Sequence, residues 1–224
     1  MLAAADSASP DAAAALEKLC RTYWSPLYAF VRRCGHSVHD AEDLTQEFLA
    51  GLLHRKGLAR LQPEKGRFRA FLLASLKHFL ADQRDRESAQ KRGGGVPVLS
   101  LDDTTAEARY QLEPRDDLTP DRVFERRWAY ALLEQVLVLL RGEFVRAGKG
   151  PLFEALRPFL VGEAEGISYV EVAARLGLTE AAAKMTVTRM RRRYRELLRA
   201  EVAHTVADPR EIDEELRHLM AALQ

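Results

Sequence analysis

One stretch leaves the chain little choice of local structure: Ser168 to Lys184, reading Ser-Tyr-Val-Glu-Val-Ala-Ala-Arg-Leu-Gly-Leu-Thr-Glu-Ala-Ala-Ala-Lys. Ser168 and Glu171 stand three residues apart, the capping box that satisfies the free N–H groups at a helix start. Val172, Ala173 and Leu176 then give that helix a small apolar inner face. Gly177 supplies the left-handed backbone of a tight turn, and Leu178 is expected to fill the corner. Thr179 caps a second helix with inner positions Ala183, Val187, Met190 and Tyr194. Two capped helices that cross on short side chains around a turn glycine predict a helix-turn-helix. The plain alternative is a helical hairpin with a basic surface.

Helical punctuation runs through the rest of the chain, and alternating strand patterns are nearly absent. Ser25-Pro26 reads as a cap with proline at the first helical position, followed by Leu27, Phe30 and Val31 up to Gly35. Ser37 caps a helix with a stripe of Ala41, Leu44, Phe48 and Leu52. A third helix from about Gly66 carries Phe68, Phe71, Leu72, Leu76, Phe79 and Leu80. Residues 93–119 lose the period and read as a flexible linker, a length unusual inside one compact domain. Thr119-Pro120 opens a helix through Phe124, Trp128, Leu132, Val136 and Leu139. A further helix covers Leu152 to Leu160, where Pro158 should bend or end it. Asp208-Pro209-Arg210-Glu211 starts an amphipathic tail with Ile212, Leu216, Leu219 and Met220. The expected fold is therefore all-α: residues 1–92 and 120–207 as two small helical domains joined by the linker, with 208–224 as an acidic tail helix.

The net charge of +1 conceals strong segregation. Residues 55–92 hold eleven Lys and Arg against four acids, among them Arg67, Arg69, Lys77, Arg84, Arg86, Lys91 and Arg92. Residues 180–200 hold seven against two. Asp40, Glu42, Asp43 and Glu47 form a purely acidic stretch, and residues 201–224 carry six acids and two arginines. Two basic blocks separated by acidic ones suggest two polyanion contacts and a separate basic partner; solvated helix faces are the alternative. In the second helix of the helix-turn-helix, Lys184, Arg189, Arg191 and Arg192 suit phosphates. Glu180 and Thr188 could touch bases, and Thr179, Ala181 and Met185 complete the expected DNA-binding set.

No run of about 18 apolar residues predicts a membrane span, and the start lacks a basic segment before an apolar one, which argues against a secretory leader. The two cysteines, Cys20 and Cys34, suit a reducing cytoplasm rather than a disulfide scaffold. With His36 and His39 they make an irregular metal set, less favoured than core thiols with surface histidines. Gly142 to Gly150 resembles a phosphate loop, but its spacing, its final glycine and the lack of a preceding strand argue against one. With no nucleophile–base pair either, neither catalysis nor a cofactor is expected.

The stretch Asp40-Ala-Glu-Asp43-Leu-Thr-Gln46-Glu47-Phe48 closely resembles a signature of bacterial RNA polymerase sigma factors of the extracytoplasmic-function class. Phe71 to Arg86 resembles the region that follows it, and the C-terminal half resembles the family's region 4, in the expected order. The resemblance implies a sigma factor whose partners are core RNA polymerase and promoter DNA, and it admits an inhibitory anti-sigma partner. Asp40, Glu42, Asp43, Gln46 and Glu47 would dock on a basic helical hairpin of the polymerase's largest subunit. Lys77, His78, Asp82, Arg84 and Arg86 match positions that contact the −10 element, with Arg67, Arg69, Lys91 and Arg92 as phosphate neighbours. Residues 179–192 would bind the −35 duplex. Phe68, Phe71 and Phe79 could stack on bases, but their spacing favours core. His78 and Phe71 stand where the family has asparagine and tryptophan, and Lys184-Met185-Thr186 replaces its common Lys-Ser-Arg, so no promoter sequence carries over. The tail is expected to pack on region 4 or mask its basic helix. The competing reading is a stand-alone helix-turn-helix regulator whose first domain senses a ligand or partner.

Overall fold

The computed structural model describes residues 10–54, 67–90, 104–111 and 118–224. Its regular elements are all helical, with no strand among the described residues: α1 Pro10–Arg33, α2 Val38–His54, α3 Phe68–Gln90, α4 Thr104–Gln111, α5 Pro120–Arg146, α6 Gly150–Val161, α7 Tyr169–Arg175, α8 Glu180–Ala203 and α9 Ile212–Ala222. A 3-10 turn at Pro209–Glu211 leads into α9. The chain divides into two compact units, one comprising residues 1–131 and 202–224, the other 132–201.

In the first unit, α1 does not begin at Pro26 as its cap signal predicts; the proline lies inside the helix. Tyr23, Leu27, Tyr28, Phe30 and Val31 are buried on both sides of it. Burying each such side chain is worth about 1.5–3 kcal/mol, which together outweighs the ~3 kcal/mol an internal proline costs. Gly35, at φ 95°, closes α1. The Ser37 hydroxyl then accepts the Asp40 N–H at 3.2 Å and starts α2 as expected. Ala41, Phe48, Leu49 and Leu52 of α2 are buried, as are Phe68, Leu72, Leu73, Leu76 and Leu80 of α3. Phe68 meets Tyr23 edge-on at 5.3 Å, and Phe79 lies 5.7 Å from Phe48. These rings pack inward rather than forming a stacking platform.

Within the stretch expected to be a featureless linker, residues 104–111 are helical and held to α1. Arg32 grips the Glu107 carboxylate with two N–H groups at 3.0 and 3.1 Å, and the Tyr28 hydroxyl donates to it at 2.5 Å. The Arg32 guanidinium also lies over the Tyr110 ring at 5.2 Å. Arg32 holds the Glu107 carboxyl down at about 2, against an ordinary 4.5. A short helix with a weak apolar period is thus held by a bidentate charge-assisted bond.

The tail also departs from expectation. Its acids pair with arginines of the first unit: Glu215 with Arg67 and Arg69, and Glu214 with Arg67. The face of α9 that is buried comprises Ile212, Glu215 and Leu219, while Met220 is exposed. A carboxylate therefore occupies a core position that the apolar pattern assigned to neighbouring leucine and methionine. Just upstream, the Thr205 carbonyl accepts the Phe68 N–H at 3.1 Å, satisfying an otherwise orphaned donor at the start of α3.

The second unit is built on Leu140, Phe153, Leu156, Phe159, Val172, Ala173, Ala183, Val187 and Met190. Pro158 does not end α6; the helix runs to Val161 and Gly162 caps it at φ 83°. Buried Leu156 and Phe159 flank the proline, the same override seen at Pro26.

Candidate functional site

On α2, Asp40 and Glu47 are exposed, Asp43 and Gln46 half-buried, and Glu42 only 7% exposed. Helical geometry explains the split: Glu42 follows Ala41 and precedes Thr45, both fully buried, so it turns toward the core. The predicted acidic face is thereby narrowed, with Glu42 absent from it. His39 sits 3.7 Å from Asp43, and Glu47 accepts a hydrogen bond from Gln83 of α3 at 2.7 Å.

Along α3, Lys77, His78, Asp82, Arg84 and Arg86 are all exposed, while Leu72, Leu76 and Leu80 are buried. Lys77 pairs with Asp121 and lies 5.9 Å from the centre of the Phe30 ring. Lys91 and Arg92 lie outside the described residues. Arg67 and Arg69, expected as phosphate neighbours, have other partners. Arg69 is 3% exposed, bonded to Glu215 at 2.6 and 3.2 Å and to Glu125, with its guanidinium 5.0 Å from the centre of the Trp128 ring. Burial alone would lower its pKa, but the Glu215 hydrogen bonds and the Glu125 charge outweigh that and raise it. An arginine followed by buried leucines at helical spacing points to the core, and only an acid brought from a distant segment lets it stay there.

Residues 19–90, which span this acidic helix and the basic helix after it, match the family model for Sigma-70 region 2. The matched segment is less than half of the chain. Searches of curated proteins and of solved structures give no significant match. The matched segment ends with α3, and α4, the start of α5 and α9 are additional elements packed in the same unit.

The second unit presents a separate basic surface. Ser168 caps α7 in an extended conformation, its hydroxyl accepting the Val170 N–H at 3.2 Å rather than reaching to the third residue. Gly177 holds the turn at φ 66°, and the Thr179 hydroxyl accepts the Ala182 N–H at 3.2 Å to start α8. Leu178, expected to fill the corner, is 36% exposed, whereas Leu176 just before the turn packs against the core and Tyr169 stacks on Phe159 at 3.9 Å. Ala183, Val187 and Met190 are buried, so Thr179, Glu180, Ala181, Lys184, Met185, Thr188, Arg189, Arg191 and Arg192 all face outward.

Several of these cations are already engaged. Lys184 pairs with Glu180 at 2.6 Å, which raises its pKa, and lies 5.7 Å from the centre of the Tyr169 ring. Arg191 donates to the Phe159 carbonyl at 2.8 Å. Arg192 pairs with Glu196 at 3.1 Å, and Arg193 bridges Glu196 and Glu143. Such exposed pairs are individually weak and exchange readily for phosphates. Arg191 is the most constrained, because its bond to a backbone carbonyl fixes the guanidinium against α6.

Sequence reasoning overlooked two ionic clusters, Arg32–Glu107–Tyr28 and Arg69–Glu215–Glu125. The second had a signal: Glu215 falls three residues after Ile212 and four before Leu219, on the apolar face of α9. The first had none, since Glu107 lies in a stretch without period. Among the described residues no group of three or more His, Cys, Asp or Glu is placed to hold a metal ion, and no helix is long and apolar enough to cross a membrane.

Proposed function

We propose that this chain is a sigma factor of the extracytoplasmic-function class, which binds core RNA polymerase and directs it to specific promoters. The observation that carries the reading is the region 2 match over residues 19–90, joined to an α2 that presents Asp40, Gln46 and Glu47, with Asp43 partly covered. These four form the polymerase-docking face, and Glu42 supports it from inside. On α3, Lys77, His78, Asp82, Arg84 and Arg86 meet the −10 element; strand separation needs cations to follow a single-stranded backbone, and Lys91 and Arg92 extend that row in sequence. Helices α7 and α8 act as the helix-turn-helix that reads the −35 duplex. Its base-facing residues are Thr179, Glu180, Ala181, Met185 and Thr188, while Lys184, Arg189, Arg191 and Arg192 hold phosphates. The function is one of binding and positioning rather than catalysis.

The deciding experiment is in vitro transcription with purified bacterial core polymerase on a library of promoter fragments. Transcripts that start at a defined sequence class, and only when the protein is present, are the expected result. If the protein fails to bind core polymerase but binds specific duplex by itself, the reading is wrong and a stand-alone regulator takes its place.

A further inference from the structure

Acids from two segments outside region 2 converge on the cations at the N-terminal half of α3. Glu214 and Glu215 of α9 both hold Arg67, and Glu215 and Glu125 both hold Arg69. Asp121, in the first turn of α5, holds Lys77. His218 of α9 adds a 3.0 Å contact to Glu125. These pairs differ in depth. Arg69 and Glu215 are 4% and 0% exposed in their side chains and form a core contact. The Lys77–Asp121 pair is 49% and 47% exposed, and Glu214 is 59% exposed against 24% for Arg67. Arg69 thus anchors the tail; Lys77 is a surface cation neutralised by an exchangeable carboxylate, and half-buried Arg67 is shared between exposed Glu214 and buried Glu215.

An apolar residue at position 215 would seat α9 without the cost of desolvating two charges, so a carboxylate there is a poor choice for stability alone. It does supply a charge to Arg67 that another anion would otherwise meet. Lys77 belongs to the exposed row that the proposed function assigns to −10 DNA, and Arg67 precedes the first turn of the same helix.

We propose that α9 and the first turn of α5 mask a phosphate-binding surface on α3, with Glu214, Glu215 and Asp121 occupying Arg67 and Lys77 in place of the nucleic-acid backbone. The carboxylates and the phosphates compete for the same two cations, so the free protein binds nucleic acid weakly and release of α9 strengthens it. This rests on the reading of α3 as the −10 helix.

The test measures binding of the full chain to a fluorescent single-stranded oligonucleotide without polymerase, across a salt series. The double variant Asp121→Asn with Glu214→Gln neutralises only exposed acids and leaves the Arg69–Glu215 anchor intact; Glu215→Gln is compared with it, and circular dichroism checks the fold of each. Each cation freed adds about 0.7 to the slope of log affinity against log salt, equivalent to about fivefold in affinity near 0.1 M. The double variant frees Lys77 while Glu215 still holds Arg67, so it is expected to bind about fivefold more tightly than wild type, with a slope steeper by about 0.7. Unchanged affinity and slope in a folded double variant would overturn the proposal and leave α9 as a structural element only. Transcription by the wild-type protein with core polymerase is scored separately, so loss of the masking idea and loss of the sigma reading give different results.

Discussion

Truncating Glu215 to alanine should be among the most damaging single changes in the first unit. Its carboxylate is fully buried and accepts from Arg69 at 2.6 and 3.2 Å and from Arg67 at 3.0 Å. Removing it leaves a guanidinium that is 3% exposed with only Glu125 and the Trp128 ring to balance it. Breaking a buried pair from one side costs about 3–5 kcal/mol; the remaining partners place this case near ~3 kcal/mol. Arg69→Met should cost a similar amount, because it strands Glu215. The double variant Arg69→Met with Glu215→Ala removes both desolvation penalties, and its loss should be close to that of either single change. The cycle therefore yields a coupling of about 2–3 kcal/mol. Both tryptophans of the chain, Trp24 and Trp128, lie in the first unit, so urea unfolding followed by intrinsic fluorescence reports on that unit. Additive single effects, or a Glu215→Ala loss below about 1 kcal/mol, would refute the reasoning, since a hydrated pair behaves that way.

Three further outcomes follow from the same geometry. Glu107 has its pKa held at about 2 by Arg32 and Tyr28, below the ordinary 4.5, so the stability it contributes is complete above pH 4.5 and lost as pH falls toward 2. The urea midpoints of wild type and Glu107→Gln should accordingly differ at pH 6 and converge as pH falls from 4.5 to 2; a constant gap would contradict this. Gly177→Ala should destabilise the second unit by about 1 kcal/mol, because the turn holds φ 66° and an added Cβ meets no atom within 4 Å, leaving backbone strain as the whole cost. Asparagine at this position should cost less, as measured by thermal unfolding. Reversing Asp43 and Glu47 to lysine should abolish association with core polymerase in gel filtration while leaving the helical circular dichroism unchanged; retained binding would remove α2 as the docking helix.

Much of the local structure was written in the sequence. Caps at Ser37, Thr119, Ser168, Thr179 and Asp208, and the turn glycines at 35 and 177, start or stop helices where expected, because these signals act through bonds within a few residues. The outward set on α8 was equally legible, since Ala183, Val187 and Met190 fix which side is buried. Tertiary structure decided the rest. Pro26 and Pro158 stay inside helices because the packed apolar stripes around them outweigh a local stop. Glu42 turns into the core although it belongs to an acidic run, and Arg69 leaves the basic surface for a pocket closed by acids 56 and 146 residues away. Glu107 and Glu215 show why such features escape a linear reading. The value of a charge depends on which opposite charge folding brings beside it and how much water is removed, and neither quantity is encoded in the residues next to it in the chain.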